Sequence, residues 1–420
     1  MKEILIERLG SRGEGIGTCD GERVFVPFAL AGETIGAEIT GDHARLVKII
    51  SPSPDRIAPT CRYYGDCGGC AVQTLRPEAY AAWKRSLVEI ALRNAGLDFP
   101  LGALIVAHGA GRRRVVFHAR YDQGEARVGF MAARSHRLIE IDACPLLTVD
   151  LALAPQAAHV IARALWRRHK PLDLAITATS EGLDIDLRGA GPLSETEHAA
   201  LVAVAKTLDL ARLTNHGRLV SLGRSPHVDI GGVRTLLPSG AFLQATQAGE
   251  EALASFVLAA ARGTKNVADL FCGIGVFALR LARFSAVFAC DNNLPAIAAL
   301  QTAVRGASGL RPVRAESRDL FERPLTAQEL ASFDCVVFDP PRAGAPAQSR
   351  ELARSDVETI VAVSCNAQSF CRDAAILRAG GYSTSEITPI DQFRFSPHLE
   401  MVAVFRRESG KKSRKRRLLG

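Results

Sequence analysis

Cys365 stands in the run Val361-Ala-Val-Ser-Cys-Asn366, directly after an apolar, strand-like stretch that places its thiol at a strand end. Upstream lie the glycine loop Asp269-Leu-Phe-Cys-Gly-Ile-Gly275 and the sequence Asp339-Pro-Pro-Arg342. Downstream, Glu400 lies in Phe395-Ser-Pro-His-Leu-Glu-Met-Val-Ala-Val-Phe405, just before a terminal strand. A thiolate is a nucleophile and a carboxylate can serve as its partner base. A thiol, a cofactor loop and a carboxylate on one α/β sheet suggest covalent attack on a substrate followed by group transfer. Against this, a lone cysteine after a strand is ordinarily an inert core thiol, and Cys290 and Cys335, inside strand-like runs, read that way. A glutamate at a strand start is ordinarily solvated. His398 is a rival base or an orienting group.

The glycine loop joins a strand to a helix, and its glycines let the backbone turn sharply and approach a ligand closely. Gly273 is its ligand-facing glycine. The dinucleotide pattern G-x-G-x-x-G is not met, since position 278 is Ala. Asp291 follows the next strand, where a carboxylate can accept from both hydroxyls of a ribose. In Asp339-Pro-Pro-Arg342 neither proline can donate a ladder hydrogen bond, so the strand stops and Asp339 is held at the mouth of the cofactor loop.

A second set of thiols lies in Cys61-Arg-Tyr-Tyr-Gly-Asp-Cys67-Gly-Gly-Cys70, with Cys144-Pro145 far along the chain. Four thiolates suit zinc or a 4Fe-4S cluster; free thiols are the remaining alternative. Zinc sites usually pair C-x-x-C with C-x-x-C, so three close cysteines plus a distant Cys-Pro favour iron–sulfur.

The elements that must position these groups fall into three regions of the 420-residue chain. Residues 1–55 read as short strands separated by glycine-rich turns, which suits a five-stranded barrel of the OB type. Residues 56–235 read as a central α+β domain, with a helix over Pro77–Asn94 and the basic run Gly111-Arg-Arg-Arg114. Residues 236–408 alternate strand, loop and helix, which implies a mostly parallel, doubly wound sheet with function at the carboxyl ends of its strands. Residues 409–420 form a basic tail. The net charge of +8 favours a polyanionic partner such as nucleic acid. No stretch reads as a membrane span or a signal peptide, so a cytoplasmic, monomeric protein without membrane contact is expected. Ten cysteines in such a chain argue against a disulfide framework.

Taken in order, Phe242-Leu-Gln244, Asp269-Leu-Phe-Cys-Gly273, Asp339-Pro-Pro-Arg342, Ser364-Cys-Asn366 and His398-Leu-Glu400 resemble the motifs of S-adenosylmethionine-dependent RNA uracil-5-methyltransferases. The resemblance covers nearly the whole chain. It implies a Rossmann-like class I methyltransferase sheet, preceded by a TRAM-like barrel that holds RNA and by a central α+β domain carrying a 4Fe-4S cluster on Cys61, Cys67, Cys70 and Cys144. It further implies cofactor contacts from Gln244, Phe271, Asp291, Asp319 and Asp339, with Cys365 as nucleophile and Glu400 as base. Asp339 and Gln244 would also orient the uracil. Barrel plus cluster most resembles the enzymes acting on 23S ribosomal RNA; a transfer-RNA enzyme and a non-catalytic assembly factor are the alternatives. The chemistry would need a cysteine of lowered pKa. Val276, Asp319, Ala367 and the segment 391–397 depart from the family's usual residues, which touches contact details rather than the reaction.

Overall fold

The computed structural model describes residues 1–122 and 124–407. The basic tail lies outside the described residues. Three sheets and a hairpin organise the chain.

The first is a closed barrel of Lys2–Leu9, Gly15–Cys19, Glu22–Val26, Thr34–Thr40 and His43–Ser51. Alternation of apolar and charged residues in Lys2–Leu9 turns Ile4 and Ile6 inward onto Val24, Val26 and Ile35. The glycine-rich stretch Gly10–Gly17, which sequence marks as a turn, is only partly one: Gly15–Cys19 is a strand. Gly17 serves close approach there, because a Cβ on it would meet the Leu5 carbonyl oxygen at 2.4 Å.

The second sheet has seven strands, in the order Arg218–Leu222, Arg212–Asn215, Gly182–Arg188, Leu172–Thr179, Arg114–Asp122, Glu125–Met131 and Leu138–Glu140. Helices Ala154–Ala164 and Glu195–Thr207 contribute Ile161 and Leu201 to its core. A hairpin of His227–Ile230 and Val233–Leu236 follows.

The third sheet positions the chemistry. Its order is Val313–Ser317, Ala286–Asp291, Asn266–Leu270, Cys335–Phe338, Thr359–Ser364, Glu400–Arg407, Tyr382–Asp391 and Ile105–Val106. The first five strands are mutually parallel, and Glu400–Arg407 runs antiparallel beside Thr359–Ser364. The parallel strands are apolar almost throughout because both faces are covered. Leu253, Val257 and Leu300 pack on one face with Val267 and Val337. Leu352, Phe370 and Leu377 pack on the other with Leu270 and Phe338. The helix Pro77–Asn94, read from sequence as part of the central region, joins that second face through Val88 and Leu92. The order reverses at Asn266–Leu270, and there the crevice at the carboxyl ends opens. No helix among the described residues is long and apolar enough to cross a membrane.

Candidate active site

Strand register brings the thiol and the carboxylate together. Ser364 pairs with Met401 across the antiparallel ladder, so the next position along each strand end sets Cys365 opposite Glu400. Asn366 then caps the helix Ala367–Ala379, its side-chain oxygen accepting from the Gln368 and Ser369 N–H groups at 2.9 and 3.2 Å. Cys365 is thus held between a strand end and a helix cap. On the neighbouring strand end, the Asp339 N–H donates to the Leu270 carbonyl.

Glu400 is not solvated, as a glutamate at a strand start would ordinarily be: it is 2% exposed. Gln392 Nε2 donates to its Oε1 at 3.0 Å, and its Oε2 has no partner. Burial, reinforced by the Asp339 charge, pushes the Glu400 pKa well up, while the Gln392 bond and Arg342 oppose. Asp339 is raised too, by burial. Gln244 Nε2 lies 3.3 Å from Asp339 Oδ2, and Gln392 Nε2 donates to Gln244 Oε1 at 2.6 Å. A chain of amides therefore joins the two carboxylates. Gln392 carried no signal in the sequence, where it is one polar residue in an irregular segment.

The thiol differs from expectation. Burial pushes the Cys365 pKa to about 11, with the Glu400 and Asp339 charges adding and Arg342 opposing. The protein by itself holds a thiol, not a thiolate, chiefly because the sulfur is buried, with the two carboxylate charges adding to that. His398 is no strong rival base: burial, with Arg342 and Lys84, lowers it to about 4, and its ring faces Arg342 at 3.3 Å. Cys365, Arg342 and His398 line a groove of about 580 Å³ whose rim includes Ser11 and Arg12 of the barrel.

The glycine loop is braced from the next strand. Asp291 accepts from the Gly273 N–H at 2.9 Å and from the Asn293 N–H at 2.8 Å. Phe271 and Gly273 both adopt left-handed φ, 62° and 53°, and Phe271 is the costly one because it has a Cβ. The Phe271 ring lies 5.5 Å from that of Phe321. Asp319 accepts from the Phe321 N–H at 2.9 Å. Under the loop, Asp269 is fully buried with no well-formed hydrogen bond to either oxygen, and burial drives its pKa well up against a weaker pull from the Ala278 N–H. A Cβ on Gly273 would meet nothing within 4 Å. Open space at Gly273, a buried, weakly bonded carboxylate beneath it and Asp291 beside it fit a ligand with hydroxyl and ammonium donors, such as a nucleoside carrying an amino acid.

Cys61, Cys67, Cys70 and Cys144 line one cavity of about 650 Å³. Gly68 docks their loop, its N–H donating to the Met131 carbonyl at 3.0 Å where a Cβ would clash. Asp142 ties Cys144 to the loop by accepting from the Tyr63 hydroxyl and pairing with Arg62. Burial, then the neighbouring sulfurs, pushes Cys70 to about 12. The sulfurs converge, but among the described residues no group of three or more His, Cys, Asp or Glu is arranged to hold a metal ion. The donor set suits a thiophilic cluster; its present spacing is not a coordination sphere.

The basic run Arg112–Arg114 is not a solvated phosphate patch. Arg113 forms a buried ion pair with Glu250 and donates to the Gln244 carbonyl at 3.0 Å, so it braces the site from behind. Arg114 lies 4.6 Å over the Phe242 ring.

Comparisons with known proteins agree with this geometry. Residues 236–408 match the family model described as tRNA (uracil-5-)-methyltransferase, and residues 1–47 match the TRAM domain. An uncharacterized RNA methyltransferase of Brucella suis is 42% identical over 402 residues, covering 96% of this chain and 97% of that one. A 23S rRNA (uracil(1939)-C(5))-methyltransferase of Chromohalobacter salexigens is 33% identical over 434 residues, covering 97% and 89%. In fold, the chain is similar to Pyrococcus abyssi tRNA (uracil-54, C5)-methyltransferase in complex with S-adenosyl-L-homocysteine, with TM-score 0.73, 22% identity and coverage of 96% and 99%. Alike over its full length to RNA methyltransferases, and by its catalytic segment to those acting on carbon 5 of uracil, the chain belongs to the RNA uracil-5-methyltransferase family.

Proposed function

We propose that this enzyme methylates carbon 5 of a uridine in 23S ribosomal RNA, with S-adenosylmethionine bound at the Gly273 loop. The observation that carries the reading is the meeting of Cys365 and Glu400 at adjacent strand ends, beside Asp339.

Carbon 5 of uracil is a poor nucleophile. The Cys365 thiol gives up its proton to solvent, its sulfur forms a bond to carbon 6, and the ring's double-bond electrons shift onto the carbonyl oxygen as an enolate. S-adenosylmethionine, when bound, supplies an electrophilic methyl group, which carbon 5 takes. Glu400 Oε2, the buried oxygen without a partner, then accepts the proton from carbon 5. The C–H electrons restore the ring double bond, and the carbon 6–sulfur bond breaks to return the Cys365 thiolate. A carboxylate of raised pKa is the stronger base once ionised. Asp339 and Gln244 orient the uracil, and Phe271, Asp291 and Asp319 join them at the cofactor. The uridine edge is reachable only if the nucleotide is flipped out of its stack.

The 23S target is supported by the full-length relative that acts on that RNA, and an RNA substrate also by the TRAM match. It also implies action in the cytoplasm. The converging thiols support a 4Fe-4S cluster on Cys61, Cys67, Cys70 and Cys144, with a structural or RNA-binding role, since the reaction moves no electrons. We divide the work among the barrel (1–55) for RNA, the central region (56–235) for the cluster, and 236–408 for catalysis.

Tritium release from carbon-5-labelled uridine, assayed separately in 23S and transfer RNA, tests the function. Release from 23S RNA is expected; release from transfer RNA alone would move the substrate, and release from neither would defeat the reading. Cys365→Ala should abolish release, and Glu400→Gln should leave a methylated covalent RNA adduct.

A further inference from the structure

We propose that Gln392 is a positioning residue for the proton-removal step, a single amide that fixes both Gln244 and Glu400 in their working orientation. This rests on Glu400 being the base, as proposed above.

The orientation of an amide is usually ambiguous, because its oxygen and nitrogen look alike. Here the backbone resolves it. The Thr246 N–H can only donate, and it points at Gln392 Oε1 at 3.3 Å. Gln392 Nε2 therefore faces the other way, where it donates to Gln244 Oε1 at 2.6 Å and to Glu400 Oε1 at 3.0 Å. Both hydrogens of the amide are spent. Gln244 is oriented in turn: its oxygen is taken by Gln392, and its Nε2 is turned to Asp339. One backbone N–H thus dictates the sense of two side-chain amides. Glu400 is anchored through Oε1, which leaves Oε2 as the free oxygen.

Two further features keep Gln392 in place. Gly249, in the first turn of the helix Gln247–Ala260, leaves room for it: a Cβ there would meet Gln392 Oε1 at 2.6 Å and its Cβ at 2.8 Å. The preceding residue, Asp391, is locked by Lys84, Tyr80 and His108. Gln392 has no exposed surface for substrate to reach, being 1% exposed, so it acts through its neighbours. Charged or titratable groups facing Glu400 are Asp339, Arg342 and the Cys365 thiol. Gln392 is the neutral donor among them, and it favours the ionised carboxylate.

Gln392→Met keeps length and volume but removes both donors. Wild type and variant would be compared on labelled RNA for methylated covalent adduct, tritium release and the pH dependence of release. In Gln392→Met the adduct should form more slowly, since Gln244 loses its anchor, but should still accept the methyl group, while tritium release per adduct slows by about 10-fold or more and its pH profile moves to the alkaline side. Gly249→Ala, which favours the helix but displaces Gln392, should show the same partition. A purely packing role would lower adduct formation and release together, without moving release per adduct or the pH profile, and that result overturns the proposal. If Gln392→Met fails to bind S-adenosylmethionine through misfolding, the partition in Gly249→Ala decides; if both misfold, Gln392 is a core residue and the proposal fails. Wild type releasing no tritium from any RNA would instead defeat the function itself.

Discussion

Cys365, the proposed nucleophile, rests in its protonated, unreactive form. Burial presses its pKa upward, Glu400 and Asp339 add to that when charged, and Arg342 is the cation that opposes them. Alkylation by iodoacetamide reads this balance, because only the thiolate reacts. The rate at Cys365, followed on its own peptide, should climb with pH towards about 11. Arg342→Ala should slow it at fixed neutral pH, and Glu400→Gln should speed it at a pH above the Glu400 pKa of about 8, where the carboxylate is charged, each by about 10-fold per unit of pKa displaced. Equal rates in all three proteins would mean that these charges do not govern the thiol. Such a resting state limits oxidation and stray alkylation, both of which follow thiolate character.

At the scale of elements, the helix Pro77–Asn94 does more than cover a sheet face. Lys84, wholly buried, donates to Asp391 Oδ1 at 2.7 Å, to the Phe393 carbonyl at 3.2 Å and to the His398 carbonyl at 2.6 Å. It clamps both ends of the segment that carries Gln392 and leads into Glu400. Both partners' pKa values are lowered, which disfavours the charged lysine and favours the charged aspartate. Burial lowers Lys84 to about 8 against the pull of Asp391. Burial alone would raise Asp391, but His108, Lys84 and Tyr80 outweigh it and hold it below the usual range. The ionised pair is the state at neutral pH, since all three ammonium hydrogens have acceptors. Removing one partner of such a pair strands the other charge. Lys84→Met should therefore cost about 3–5 kcal/mol, read by urea unfolding, and Lys84→Met with Asp391→Asn should recover part of it. Because the folded pKa of Asp391 is depressed, its contribution is present above the unfolded value and is lost as pH falls through the folded one. The Lys84→Met protein should lose less stability than wild type on acidification. A cost below about 1 kcal/mol would show that the segment is held otherwise.

On the scale of the whole molecule, the central region joins chain segments far apart. Cys61, Cys67 and Cys70 meet Cys144 across the cavity that Arg112 and Phe242 also line. Protein purified without oxygen should contain iron and acid-labile sulfide, about four of each per chain, and Cys70→Ser should lose both and melt earlier. Zinc in place of iron would correct the cluster, and neither metal would leave the thiols as a structural pocket. The barrel reaches the other side of the molecule, where Ser11 and Arg12 stand at the rim of the groove that opens on Cys365.

Much of this was legible along the chain. Four of the five barrel strands, the helix Pro77–Asn94, the parallel sheet and the glycine loop follow from local periodicity and turn residues, which act over a few positions; the strand Gly15–Cys19 hides in what reads as a turn. Cys365, Glu400 and the four cysteines were named by residue type and motif. Packing alone revealed the rest. Glu400 is buried because Ser364 pairs with Met401, a register between distant strands that no local pattern records. Gln392 and Lys84 are ordinary polar residues in sequence, and they acquire meaning only from partners that lie 148 and 307 positions away. Arg113, in sequence one of three successive arginines, becomes a buried brace for the same reason. The protonated thiol was beyond sequence too, since a pKa depends on burial and on which charges stand near, and both are properties of the folded chain.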